Sequence, residues 1–179
     1  YFKKTIVRQT EGSAPDRKVI EVEVEEQSTG DLQIGAGYST EDGPLADFGI
    51  KERNLLGRGQ ILGFSAALSQ RRQNFNLSFT EPYFLERNIA ATIDLFNTRT
   101  DNESFSSYVR QQKGFGVSFG YPLSQYLRQR IGYRLAMDKV SDVEEGASIY
   151  IKEQQGDRTT SLVSHELMYD RRDSKLFTT

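Results

Sequence analysis

The feature that most constrains the fold is a side-chain period of two that runs from residue 31 to about residue 170. In the stretch 61–69, for example, leucine, phenylalanine and alanine alternate with glycine, alanine and serine. Successive side chains of a β-strand point to opposite faces, so this pattern predicts strands with one apolar and one polar face. Turn signals rich in glycine, proline and asparagine separate about eight such stretches. The sequence therefore predicts an all-β antiparallel meander of about eight strands.

The residues of the polar face distinguish two kinds of sheet protein. A soluble sandwich covers its outer face with long charged side chains and threonine, whereas here glycine, serine, asparagine and alanine predominate. The opposite face carries Leu, Ile, Phe and Tyr, which is typical of a lipid-facing band. This favours a transmembrane β-barrel. The alternative is a soluble β-sandwich binding module, in which Leu32, Ile34, Phe64 and Phe79 would face a protein core.

Composition argues against several other classes of protein. The net charge of -2 gives no reason to expect a nucleic-acid partner. The chain has no cysteine and one histidine, which argues against thiolate zinc sites and histidine-based catalytic triads. No pair of acid and base residues, metal cluster or activated nucleophile stands out. We therefore predict that the protein is not an enzyme, with no catalytic residues, no metal site and no cofactor.

Two segments lack the regular alternation and are predicted to be long polar loops. They cover residues 97–112, with the extended ends of two strands, and residues 139–158. The last strand is predicted at about residues 159–170. Both ends of the sequence look cut, so we expect a piece of a longer protein.

Residues 1–29 differ from the rest of the chain. Between Lys18 and Glu26, valine and isoleucine alternate with glutamate, which predicts a strand with one buried and one acidic, solvated face. A second short strand is predicted at residues 2–9. Two antiparallel strands alone are only marginally stable. We therefore expect residues 1–29 to be the end of a small α/β module, followed by a linker at residues 28–30.

A family resemblance rests on motifs that follow one another in a fixed order. They lie at residues 25–30, 34–38, 54–59, 78–84, 120–123 and 169–173. Their order and spacing resemble those of the BamA family of outer-membrane β-barrel assembly factors, in the POTRA-barrel superfamily. The resemblance implies that residues 1–29 are the C-terminal part of the last POTRA domain, on the periplasmic side. Residues 30–179 would be the N-terminal strands of a sixteen-stranded transmembrane barrel in the bacterial outer membrane.

The same resemblance implies a function and a site. The protein would assemble and insert outer-membrane proteins, and its first strand would be the lateral-gate edge to which substrate strands add. The predicted edge residues are Leu32, Gln33, Ile34, Gly35, Ala36, Gly37 and Tyr38. An open edge offers unpaired backbone groups, and glycine weakens strand order. An equally good interpretation of the glycines is that they only permit sheet curvature.

The resemblance further implies structural residues and partners. Rim and turn roles are expected for Asn54, Gly57, Gly59, Pro82, Tyr83 and Phe84. Proline cannot donate to a strand ladder, so Pro82 would end its strand. The implied partners are nascent outer-membrane β-barrel proteins, accessory assembly lipoproteins and outer-membrane lipids. An alternative function is a polypeptide-secreting or translocating pore of the same superfamily, of the TamA type or of two-partner secretion.

Overall fold

The described part of the chain is built almost entirely from β-strands. A computed structural model describes residues 2–14, 16–102 and 108–172. The chain divides into two units, Tyr1–Gly30 and Asp31–Thr179, and each is described by itself. Among the described residues, neither of the short helices could span a membrane.

The first unit contains one antiparallel pair of strands. Strand β1 (Phe2–Glu11) pairs with β2 (Lys18–Glu26), and Val7 lies opposite Val22. The Lys3 Nζ atom lies 3.0 Å from Glu25 Oε1, and Arg8 Nη2 lies 3.4 Å from Glu23 Oε2. These ion pairs are exposed, so they stabilise the hairpin only slightly. The pair of strands predicted for residues 1–29 is present, and its assignment to a POTRA domain stays a prediction.

The second unit is one eight-stranded sheet whose spatial order follows the chain order. Its strands are β3 (Gly30–Ser39), β4 (Gly43–Leu55), β5 (Gln60–Ser69), β6 (Arg72–Glu81), β7 (Ala90–Asp101), β8 (Val109–Pro122), β9 (Leu127–Ser141) and β10 (Gly156–Tyr169). A short 3-10 helix, Phe84–Glu86, follows β6, and a one-turn helix α1 (Ile149–Lys152) follows β9. The prediction of an eight-stranded meander is confirmed. Strands β3 and β10 form the two edges of the sheet.

The strand register continues both faces across the sheet. One apolar row joins Leu62, Phe79, Ile93, Val117, Tyr133 and Val163 through successive direct pairs. The neighbouring row on the other face contains Gly63, Ser78, Asp94, Gly116, Arg134 and Leu162. Directly opposed residues share a face, so the alternation of each strand adds up to one apolar and one mainly polar surface.

The apolar surface is not covered by any described residue of the second unit. Val109 and Ala136 are the only hydrophobic residues buried among the described residues. Leu95 keeps 48% of its surface exposed, and Leu32 and Ile34 are also exposed. The soluble sandwich needed a second sheet on this face, and the described residues of this unit contain none. An uncovered face of this extent needs another apolar environment.

The predicted boundaries of the second long loop were wrong. The loop was predicted at residues 139–158, but β9 continues to Ser141 and β10 begins at Gly156, so the observed loop is shorter. Lys139 pairs with Asp157, and Val140 pairs with Gly156. Polar residues at these strand ends break the alternation without breaking the backbone ladder. In the first long loop, the strands extend to Asp101 and from Val109, and residues 103–107 lie outside the described residues.

Candidate functional site at the edge strand

The predicted edge residues all lie on β3, the first strand of the sheet. Strand β4 is the only neighbour of β3 among the described strands, so the other side of β3 is unpaired there. On the apolar face, Leu32, Ile34 and Tyr38 are 64%, 74% and 77% exposed. An edge of this kind presents unpaired backbone N–H and C=O groups to any strand that approaches it.

On the polar face, β3 has two glycines without side chains where it lies beside β4. A Cβ atom added to Gly35 would lie 3.4 Å from Asp47 Cβ and 3.5 Å from Asp47 Oδ2. A Cβ atom added to Gly37 would lie 3.9 Å from Leu45 Cδ1. Side chains of β4 therefore lie beside two positions of β3 that have no side chain of their own. Sequence analysis missed Asp47 and Leu45, because alternating glycines do not reveal which residues of the next strand face them.

An ion pair connects β4 to the start of β3. Arg53 Nη2 lies 2.5 Å from Asp31 Oδ2, and both side chains are about half exposed. Farther along, Gln33 packs beside Gly49, where an added Cβ would lie 3.6 Å from Gln33 Cβ. At the start of β3 this ion pair adds to the backbone pairing with β4, whereas Gly35 and Gly37 have no side chain for such a contact.

The turn between β4 and β5 contains the predicted residues Asn54, Gly57 and Gly59. The Gly59 N–H donates a hydrogen bond of 2.7 Å to Asn54 Oδ1, and the Gly57 N–H donates to the Asn54 carbonyl at 3.0 Å. Gly57 and Gly59 have φ angles of +72° and +70°, which side chains rarely adopt. Asn54 therefore closes the turn with both its side chain and its backbone.

Loss of the Asn54 side-chain oxygen is expected to weaken this turn. In Asn54→Ala, the part-buried Gly59 N–H loses its acceptor, which we expect to lower the free energy of unfolding by about 1 kcal/mol. Asn54→Asp keeps an acceptor oxygen and serves as the control. Urea unfolding of the full-length protein in lipid vesicles measures both. Equal losses in the two variants would contradict this role of the amide oxygen.

The second predicted turn, with Pro82, Tyr83 and Phe84, connects β6 to β7. Glu81 accepts hydrogen bonds from Gln60 Nε2 at 2.7 Å and from the Tyr83 N–H at 3.0 Å. The Phe84 ring lies 5.9 Å from the Phe119 ring, while Tyr83 stays exposed. Turns of a meander alternate between the two ends of the sheet, so this turn and the turn at residues 54–59 share the end where β3 begins. All six predicted turn residues therefore lie at one rim.

Polar contacts after β10 lie at the same rim. Arg172 donates to the Asp170 carboxylate from Nε at 2.8 Å and from Nη2 at 2.6 Å. These hydrogen bonds raise the pKa of Arg172. Residue 173, the last of the motif at residues 169–173, lies outside the described residues. In the described ranges, no group of three or more His, Asp or Glu residues is placed to hold a metal ion.

Comparison with known sequences identifies a family. The Omp85 superfamily domain matches residues 54–179. The chain is 30% identical to the outer membrane protein assembly factor BamA of Nitratidesulfovibrio vulgaris, over 98% of this chain and 22% of that protein. It is also 30% identical to the protein of the same name from Neisseria meningitidis serogroup B, over 66% of this chain and 15% of that protein. The chain thus spans 22% of the length of the first relative and 15% of the length of the second.

A solved structure shares the fold. It is the crystal structure of BamA from Haemophilus ducreyi lacking POTRA domains 1–3, with a TM-score of 0.70 and 22% sequence identity. The superposition covers 99% of this chain and 37% of that chain. The meander of β3 to β10 therefore has the fold of part of a BamA structure. Since the family domain matches well over half of the sequence, the chain belongs to the Omp85 superfamily.

Proposed function

We propose that the protein assembles outer-membrane β-barrel proteins and that β3 is the edge to which the incoming strand pairs. The observation that carries this proposal is the outer side of β3, which pairs with none of the described strands, in a sheet whose apolar face is exposed. Backbone pairing at an edge depends little on side chains, so it suits a protein that accepts many substrate sequences. Two relatives that are 30% identical to this chain over their aligned segments are named as outer membrane protein assembly factors.

The proposal places the sheet in the bacterial outer membrane. The apolar face contacts lipid and the polar face lines the lumen. The strands close into a barrel, because lipid-exposed strands satisfy their backbone groups only within a closed sheet. Residues 1–29 are the C-terminal part of a POTRA domain on the periplasmic side. The barrel has sixteen strands, and its other strands continue from the free side of β10. The last of them closes the barrel against β3 through a weakly paired seam, which opens to admit the substrate strand. Nascent barrel proteins, accessory lipoproteins and lipids are its partners, and no catalysis is involved.

Disulfide crosslinking tests the edge directly, because this chain contains no cysteine. Single cysteines replace Gln33 or Gly35 in the full-length protein, and cysteines are placed along the last strand of a nascent outer-membrane protein. We expect register-specific crosslinks, since paired residues bring Cβ atoms within disulfide range. Asn76→Cys is the control. It lies in the same row as Gln33 and Gly49, through the pairs of Gly49 with Ser65 and of Ser65 with Asn76, but β6 is paired on both sides.

The outcome separates the competing functions. Crosslinks at Gln33 and Gly35 without crosslinks at Asn76 support assembly through β3. Equal yields at all three positions, or none in a protein that is inserted and folded, would remove β3 from the mechanism. A polypeptide-translocating pore of the superfamily would then be the better interpretation.

A further inference from the structure

A carboxylate of β4 is accessible from the free edge of β3. Gly35 has no side chain, and the Asp47 carboxylate leans over it, with Oδ2 3.5 Å from the position that a Cβ atom of residue 35 would occupy. Nothing on β3 at this level separates Asp47 from a strand that pairs with the edge. The glycine thus opens a gap in the polar face, and Asp47 lies behind the gap.

Asp47 has no partner among the residues that the structure describes. Its direct neighbour on β5 is Ala67, which carries no polar side-chain atom. Lys51 lies four residues farther along β4, which is about 13 Å away along an extended strand. Arg53 is already paired with Asp31. The carboxylate is exposed and keeps its hydrogen-bonding capacity for a group that arrives from outside the sheet.

A strand added to β3 brings such a group within reach. The incoming backbone lies one strand spacing from β3 and two spacings, about 9.6 Å, from β4. The side chain opposite Gly35 on the polar face meets no side chain on β3. A lysine or arginine opposite Gly35 spans most of the distance between the incoming strand and β4. The Asp47 carboxylate, which lies toward Gly35, covers the rest.

We propose that Asp47 selects the register of the incoming strand by pairing, across Gly35, with a basic residue on its lumen-facing side. This inference rests on the proposed function and adds a substrate preference to it. Backbone pairing alone accepts every register in steps of two residues. At Gly35 the polar face presents the Asp47 carboxylate, at Gly37 it presents Leu45, and at Gly49 it presents Gln33. Asp31, the acid that β3 itself carries on this face, is already paired with Arg53. A strand with one lumen-facing lysine therefore has one preferred position.

The test moves that lysine and reads the register. The full-length protein carries Gln33→Cys, and a substrate strand carries one lysine at a lumen-facing position together with a single-cysteine scan. We expect the crosslink with the highest yield to place the lysine opposite Gly35, by about two- to fivefold over the registers shifted by two residues. When the lysine moves by two residues, the preferred crosslink moves with it. Asp47→Asn reduces this preference.

A charge swap distinguishes pairing from local damage. Asp47→Lys is expected to disfavour the lysine strand and to favour the same strand with glutamate in place of lysine. Crosslinks whose register ignores both the lysine position and Asp47 would overturn this inference and leave β3 as the assembly edge. No crosslinks at all in a folded protein would instead overturn the proposed function. The two failures are therefore distinguishable.

Discussion

Replacement of Leu77 by arginine is expected to destabilise the folded barrel by about 2–4 kcal/mol. Leu77 lies near the middle of β6 and is 40% exposed on the apolar face. Its row contains Phe64, Leu95 and Phe115, so an arginine there enters the centre of the face that we propose contacts lipid. Charged side chains at the bilayer midplane are the most costly, and no acid in this row can neutralise the guanidinium.

The neighbouring residue supplies a matched control for this prediction. Asn76 is adjacent to Leu77 on the same strand but points to the polar face, where it lies opposite Ser65 and Phe96. Asn76→Arg adds the same charge at the same depth and is expected to change stability by less than about 0.5 kcal/mol. Urea unfolding in lipid vesicles and the gel mobility of unheated, folded protein measure both variants. If Asn76→Arg were the more harmful change, the assignment of the two faces would be reversed.

The pattern of faces could be predicted from sequence because it depends only on local alternation. Gln33, Gly35 and Gly37 share a face in any strand, and turn residues such as Asn54 mark where strands end. The family resemblance supplied the interpretation of β3 as a working edge. The assignment of residues 1–29 to a POTRA domain and the sixteen-stranded barrel stay predictions, as do the edge residues, which the crosslinks test.

The sequence pattern did not predict which residues of neighbouring strands contact each other. The proximity of Asp47 to Gly35 depends on the register of β4 against β3, which no alternation specifies. The ends of β9 and β10 were missed for a related reason. Lys139 and Asp157 carry no apolar pattern, yet they pair because the ladder extends beyond the alternating segments. Side-chain pattern thus identifies faces, whereas pairing distances identify the site.

Glycines of β8 show this limit most clearly. Gly114 and Gly116 occupy equivalent places in the sequence pattern, on the same face of one strand. A Cβ atom on Gly114 would collide with the Leu135 carbonyl oxygen and would lie 2.8 Å from Phe96 Cζ. The Phe96 ring packs against Gly114. The Arg134 guanidinium stacks on the same ring, with its Cζ atom 3.8 Å from the ring centroid. At Gly116 the nearest atom, the Tyr133 carbonyl oxygen, would lie at an ordinary 3.7 Å.

Gly114→Ala is therefore expected to destabilise the folded protein by about 1–3 kcal/mol, because the backbone of β9 has to move away to admit the methyl group. Gly116→Ala is the control and should be tolerated, which urea unfolding of the full-length protein in lipid vesicles measures. A second comparison identifies the cause. Phe96→Leu removes the ring but leaves the Leu135 carbonyl in place, so it should not restore stability to Gly114→Ala. Complete rescue by Phe96→Leu would show that the aromatic cover, and not the close approach of β8 and β9, requires glycine at this position.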